Sequence, residues 1–418
     1  MGGKTLSEKI IEEHCGKEVS AGEVVVVNVD LSYMQDGTGP LTVLRMKEMG
    51  IEKAYNPEKT IIFLDHASPS PRMELSNDHR FLRDFAEKTG IILSDVGYGI
   101  SHHNSLESYA RPGDVIVGAD SHTCTNGALG AFATGMGSTD VAAAIALGKT
   151  WMKVPETYLV EVNGRLPKGV YSKDIILHLI GKITSNGATY KALEFTGNTI
   201  TGLSTAARST IANMSVEAGA KVGLFPPDNE TKKFLKKMGR EKDFREVGSD
   251  EDADFEKRIE INAEELEPVI ACPHLVDNTK KISEVGKVKV NEVLIGTSCN
   301  GRLEDLHIAA SILKGKKISK NTRVIVTPAS RMVYLEALKD GTIETFIESG
   351  ALVTTPGCGA CDGVHEGILG DGDVCLATQP RNFKGRMGNP NSFIYLGSPA
   401  VAAATALAGE ISDPREVM

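Results

Sequence analysis

Short apolar runs rich in β-branched residues recur along this chain, and they limit its architecture more than any other feature. The runs are Val24 to Val29, Thr60 to Leu64, Asp114 to Val117, Val290 to Ile295, Arg323 to Val326, Ala351 to Thr354 and Val374 to Ala377. Each is too short for a helix and apolar on both faces, as a strand is when a parallel sheet is covered on each side. Helix-like stretches such as Leu303 to Leu313 and Val333 to Leu338 lie between several of them. The alternation predicts an α/β protein with mainly parallel sheets and helices on both faces. A chain of 418 residues exceeds one core, and three α/β/α domains are expected, over 1–155, 156–285 and 286–418. The first break follows the alanine-rich helix Asp140 to Leu147, where TWMKVPE interrupts the pattern. The second follows the charged stretch Thr231 to Glu260, read as a solvated helical face and surface loop, and falls near polar Lys280 to Val290. At the N-terminus, Thr5 and Glu8 form a capping-box pair ahead of Leu6, Ile10 and Ile11, which predicts a short helix.

Charge and composition remove several classes of function. Lys and Arg number 46 against 55 Asp and Glu, a net charge of −9, so a basic nucleic-acid footprint is unsupported. No run of eighteen apolar residues exists to span a bilayer, and MGGKTLSEKI lacks an apolar signal core, so a cytoplasmic location is expected. Seven cysteines are too few and odd in number for a disulfide framework, leaving reduced thiols for metal or catalysis. Gly148-Lys149-Thr150 imitates the end of a P-loop, but Ala143 stands where its leading glycine is required, and no G-x-G-x-x-G occurs.

Ligand chemistry in parallel α/β sheets gathers beyond the carboxyl ends of strands. Here those ends carry the unusual residues: Asp65-His66, Asp120-Ser121-His122-Thr123-Cys124, Thr297-Ser298-Cys299-Asn300-Gly301-Arg302, Cys358-Gly359-Ala360-Cys361 and Arg381 to Arg386. Cys358-x-x-Cys361 alone fits half a zinc site, a redox dithiol or part of an iron-sulphur cluster. No second C-x-x-C or H-x-x-x-H completes a zinc site, and a thioredoxin-like fold is far shorter. A cluster held by three thiolates, with its fourth iron open to substrate, would use Cys299, Cys358 and Cys361. Cys15, Cys272 and Cys375 are read as small core residues, and Cys124 as a buried thiol beside the site. His66 and His122, each close to an Asp, suit proton transfer to a leaving hydroxyl. His14, His79, His178, His307 and His365 are read as surface or satisfied structural residues. Arg302, Arg381 and Arg386 near thiols suit bidentate clamps for a substrate with two or three carboxylates.

These residues resemble the large, catalytic subunit of the aconitase family, in the group of isopropylmalate isomerase, homoaconitase and 2,3-dimethylmalate dehydratase. The resemblance covers nearly the whole chain. It rests on Met34-Gln35-Asp36-Gly37-Thr38, Asp65-His66, Gly99-Ile100-Ser101-His102, Asp120 to Cys124, Gly187-Ala188-Thr189 with Glu194, Asn213-Met214 with Glu217, Cys358 to Cys361 and Arg381 to Arg386. It implies three α/β domains around one [4Fe-4S] cluster with one iron free of protein ligands, and reversible loss of water from a hydroxy acid. In that scheme His122 with Asp120 protonates the departing hydroxyl, Asp65, His66 and His102 support iron-bound water, and Glu194 contacts that water. Gln35, Ser121, Arg302, Arg381 and Arg386 would bind substrate.

Departures from the family pattern sharpen the reading. The group usually has Ser-Cys-Thr-Asn-Gly-Arg where this chain has Thr297 to Arg302, which displaces the first cluster cysteine by one residue; Cys299 is expected to serve after a local change of the loop. His103 stands where Gln is common, an imidazole without an assigned role. Full-length aconitases carry a C-terminal swivelling domain with the base serine, and this chain ends at Met418, so a separate small subunit is expected to supply it. The expected reaction is a dehydration of the isopropylmalate type. The 2,3-dimethylmalate and homoaconitate reactions are alternatives, and a non-catalytic RNA-binding relative is a remote one.

Overall fold

The computed structural model describes residues 2–418. The N-terminal helix Leu6–Cys15 forms with its capping box intact, Thr5 and Glu8 each receiving the other's backbone N–H. Three mainly parallel sheets then follow in chain order. The first has five parallel strands in the spatial order Ile92–Ser94, Thr60–Phe63, Leu31–Gln35, Val115–Gly118 and Phe132–Gly135. The second has four parallel strands, Val222–Leu224, Ala192–Thr196, Thr157–Asn163 and Lys257–Asn262. The third has seven, in the order Thr279–Lys281, Val269–Ala271, Phe393–Leu396, Val374–Ala377, Glu292–Gly296, Arg323–Thr327 and Leu352–Val353. Its last five are parallel, whereas Val269–Ala271 pairs antiparallel with both neighbours.

Several expectations change on contact with these sheets. The break expected near 285 divides the third sheet, since Val269–Ala271 and Thr279–Lys281 lie before it, yet they pair with each other and Ala271 pairs with Leu396. Val24–Asn28 is no buried parallel strand; it pairs antiparallel with Lys149–Lys153 as a two-stranded ribbon and leaves Val24 and Val26 at 66% and 60% exposure. The charged segment at 231–260 contains the start of the edge strand Lys257–Asn262, whose alternation of exposed and buried residues the surrounding charges disguise. Leu31–Gln35, the fully buried centre of the first sheet, carries too mixed a run to stand out.

The first and third sheets meet at their carboxyl ends. Gly99 bridges Ser330, and Ile100 N–H donates to the Ala329 carbonyl at 2.9 Å. Ile100, Ala329 and Cys358 pack as one buried cluster, and the Cys358 N–H donates to the Asp65 carbonyl at 3.0 Å. Gly118 is required where the central strands turn toward this junction, since a Cβ there would collide with Thr123 and the Tyr33 ring. Among the described residues, no helix is long and apolar enough to cross a membrane.

Candidate active site

The carboxyl ends of the first sheet supply three buried acids, each with an imidazole. Asp36 follows Leu31–Gln35 and accepts from the His66 and Ala67 N–H groups at 2.8 Å each and from His79 Nε2 at 2.8 Å. Asp65 follows Thr60–Phe63 and lies 2.9 Å from His66 Nδ1, while its other oxygen accepts from the Ser101 N–H at 2.7 Å. Asp36, Asp65 and His66 bring potential ligating atoms within 4.8 Å of one another. Burial opposes charge on His66, but Asp65 and the Cys358 thiol outweigh it and raise the imidazole well above its ordinary value.

Asp120 does not serve His122 as its carboxylate partner. Its Oδ2 lies 2.9 Å from His102 Nδ1 and accepts from Ser101 Oγ at 3.3 Å, and only the backbone N–H of His122 reaches its Oδ1. Burial alone would raise the Asp120 carboxyl; the His102 hydrogen bond and the surrounding imidazoles reverse this and hold it far below the usual range. His122 pairs instead with Glu217, 3.1 Å from its Nε2, and Glu217 also accepts from Arg381 Nε at 2.7 Å. Burial and then the Arg381 charge push His122 down to about 4, against the pull of Glu217. Arg381 Nη1 donates to Ser121 Oγ at 3.0 Å, which closes a ring of Ser121, Arg381, Glu217 and His122.

Glu217 therefore stands beside His122 where the resemblance placed Asp120, and Glu194 does not reach this ring. Glu194 sits on Ala192–Thr196 in the second sheet, where its carboxylate accepts from Ser249 Oγ at 2.8 Å and from the Leu6 N–H at 3.4 Å. That environment tethers the N-terminal helix. A signal for Glu217 was present in the sequence, since it belongs with Asn213-Met214 to one of the motifs, and it lies in the short turn that follows helix Thr205–Met214.

The third sheet delivers the thiols. Cys358 and Cys361 are buried and free, Cys358 beside His66 and Cys361 accepting from Arg386 Nη2 at 3.6 Å. Arg386 Nη1 also lies 3.2 Å from Asp362, and its Nε has no hydrogen-bond partner. Cys299 does not join them by its side chain. Its thiol accepts from Lys173 Nζ at 3.3 Å, and that buried ammonium also donates to the Thr378 and Gln379 carbonyls at 2.9 Å each. The neighbouring Ser298 faces the imidazoles, with its Oγ 3.1 Å from His102 Nε2 and 3.3 Å from Asn213 Nδ2. Gly296 at φ 105° and Thr297 at φ 60° introduce this turn; a Cβ on Gly296 would collide with the Thr327 carbonyl, and a β-branched residue at positive φ stores strain.

Two further expectations are redirected. Gln35 turns its side-chain oxygen to the Gly37 N–H and so shapes the loop that carries Asp36. Arg302 is buried behind the Thr297–Asn300 turn, with Nη1 donating to the Cys299 carbonyl at 2.7 Å and to Thr210 Oγ1 at 3.2 Å. His103 has a role: its Nε2 holds the Ser298 carbonyl at 2.8 Å. His103, Glu107 and Arg302 line a separate cavity of about 440 Å³ with Phe234 and Met332. Burial raises the Glu107 carboxyl to about 7, although Ser330 Oγ donates to it at 2.8 Å. The folded state thus holds this proton at pH values where the unfolded chain releases it, and stability falls as pH rises from about 4.5 to about 7. Glu107→Gln is expected to match the parent's melting temperature at pH 5 and exceed it at pH 8, by about 2 kcal/mol in stability once solvent screening is allowed for; a gap unchanged between those pH values contradicts this.

The chain has relatives among known proteins. A sequence profile of the aconitase family (aconitate hydratase) matches residues 8–409. The chain is 60% identical to the 3-isopropylmalate dehydratase large subunit of Elusimicrobium minutum, over 99% of each chain. It is 56% identical to large subunit 1 of the Thermotoga maritima enzyme, over 99% of each chain, and 55% identical to large subunit 2 of the Archaeoglobus fulgidus enzyme, over 100% of each. The crystal structure of Thermococcus kodakaraensis aconitase X in its holo-form shares the fold at a TM-score of 0.53 and 14% identity, covering 85% of this chain and 84% of that one. With paired acids and imidazoles, two free thiols and two arginines at the junction of its sheets, and with these matches along nearly its whole length, the chain belongs to the aconitase family.

Proposed function

We propose that this chain is the catalytic subunit of a hydro-lyase of the 3-isopropylmalate dehydratase type, which works with a separate small subunit and one [4Fe-4S] cluster with an iron open to substrate. The observation that carries the reading is the convergence of Asp65–His66, Asp120–His102 and Glu217–His122 with Arg381 beside two free buried thiols. The donor set fits an iron-sulphur group: Cys358 and Cys361 are available thiols, and Asn213 Oδ1, Thr297 Oγ1 and Arg386 Nε are buried polar atoms without partners. When bound, such a cluster supplies a Lewis acid for the hydroxyl that leaves.

The chain's own side chains meet the remaining needs of a dehydration. Hydroxide is a poor leaving group, and the carboxylate-backed imidazoles His66 and His102 are placed to carry a proton to it. His122 is uncharged at neutral pH, and its Nε2–H donates to Glu217, so Nδ1 is left to accept a proton or hydrogen bond beside Ser121. Arg381, held by Glu217 and Ser121, and Arg386, held beside Cys361, offer their remaining N–H groups to substrate carboxylates and to the charge that develops on proton loss. The base serine of the resemblance belongs to the small subunit. The test is turnover of 3-isopropylmalate by the anaerobically purified chain with its small subunit, compared with 2,3-dimethylmalate and homoaconitate. Retention of RNA with no turnover of any of the three overturns the reading.

A further inference from the structure

Residues 298 and 299 present an oxygen and a sulphur to different sides of one turn, and only the oxygen faces the catalytic imidazoles. The turn is pinned along its length. His103 Nε2 holds the Ser298 carbonyl at 2.8 Å, Arg302 Nη1 holds the Cys299 carbonyl at 2.7 Å, and Lys173 Nζ holds the Cys299 thiol at 3.3 Å. Adjacent side chains on a helical turn lie about 100° apart. Bringing the Cys299 thiol around would break all three contacts and strip the fully buried Lys173 ammonium of an acceptor.

Ser298, by contrast, lies where a hydroxyl can be used. Asp120 Oδ2 accepts from His102 Nδ1–H at 2.9 Å, which leaves Nε2 as the acceptor for the Ser298 hydroxyl at 3.1 Å. Serine, imidazole and carboxylate thus stand in the order that lets a serine give up its proton. The Thr297–Asn300 turn packs against Gly359–Asp362, which carries Cys361 and follows Cys358. Resting on the functional reading above, we propose that the third protein ligand of the iron-sulphur cluster is Ser298 Oγ, alongside the Cys358 and Cys361 thiolates, and that Cys299 is a structural partner of Lys173. On binding, the Ser298 O–H bond breaks, its proton passes to His102 Nε2, and the oxygen bonds to iron; no electrons are exchanged. A bound cation makes such an ionisation favourable. An alkoxide is a harder donor than a thiolate and places more charge on the iron, so it lowers the cluster's reduction potential.

The experiment uses the full chain reconstituted anaerobically with ferrous iron and sulphide, and reads iron and sulphide per chain, rate of iron release to a chelator, and midpoint potential. Cys299→Ala is expected to hold iron at the parental level. Ser298→Ala is expected to lose at least half of it, or to release it tenfold faster. Ser298→Cys is expected to hold it at least as firmly as the parent, with a higher potential, and this variant decides the matter where Ser298→Ala fails to fold by circular dichroism. The proposal is overturned by parental iron content and release rate in Ser298→Ala, by a loss in Cys299→Ala as large as that in Ser298→Ala, or by an unmoved potential in Ser298→Cys. Should the parent turn over isopropylmalate while any of these holds, the ligand assignment alone falls; a parent that takes up no iron brings down the functional reading with it.

Discussion

Asp120→Asn is expected to lower kcat by about 10³–10⁴-fold while leaving KM within a few-fold of the parent. Asp120 fixes the His102 tautomer by accepting from Nδ1, and it anchors Ser101 Oγ and the His122 N–H as well. An amide can turn an N–H₂ toward Nδ1 and force the proton to Nε2. That proton then points at the Ser298 carbonyl, 3.3 Å away, and Nε2 can no longer take up the proton that Ser298 gives up or accept from Asn213. Arg381 and Arg386 keep their places, so substrate carboxylates still bind. Steady-state kinetics on the two-subunit enzyme check this, with the melting temperature as the control for folding. A kcat within tenfold of the parent contradicts the role given to this acid.

Glu217→Gln is expected to reduce kcat/KM by about 10²–10³-fold, because one carboxylate orients both a base and a clamp. Glu217 Oε1 is shared by His122 Nε2 and Arg381 Nε. Removing its charge frees the guanidinium to swing and deprives His122 of the neighbour that most favours a proton on its ring, so His122 should titrate lower still. Glu194→Gln is the matched comparison. Its carboxylate bonds Ser249 and the Leu6 N–H, so the change should reduce stability by about 1–3 kcal/mol and leave kcat/KM within a few-fold. Equal kinetic losses in the two variants contradict the assignment of Glu217 over Glu194.

Local sequence determined the α/β class and most strand ends that matter. Thr60–Phe63, Val115–Gly118, Glu292–Gly296 and Val374–Ala377 are buried runs whose hydrophobicity needs no partner to be read, and acids, imidazoles and arginines of the site follow them directly. The motifs carried the family as well. Which acid serves which imidazole was a tertiary matter. Asp120 is two residues from His122 yet bonds His102, and Glu217 reaches His122 across 95 residues, because strand register and the packing of helix Thr205–Met214 set those distances. The same holds for the turn after Glu292–Gly296. Ser298 and Cys299 are neighbours in the chain, and spacing alone cannot say which side chain faces the cavity; the strained entry at Thr297 and the contacts from His103, Lys173 and Arg302, brought in from other elements, fix the orientation. Sequence determines which groups are present and roughly where each strand delivers them, whereas orientation comes from hydrogen bonds between groups far apart in the chain, which exist only once the sheets have packed.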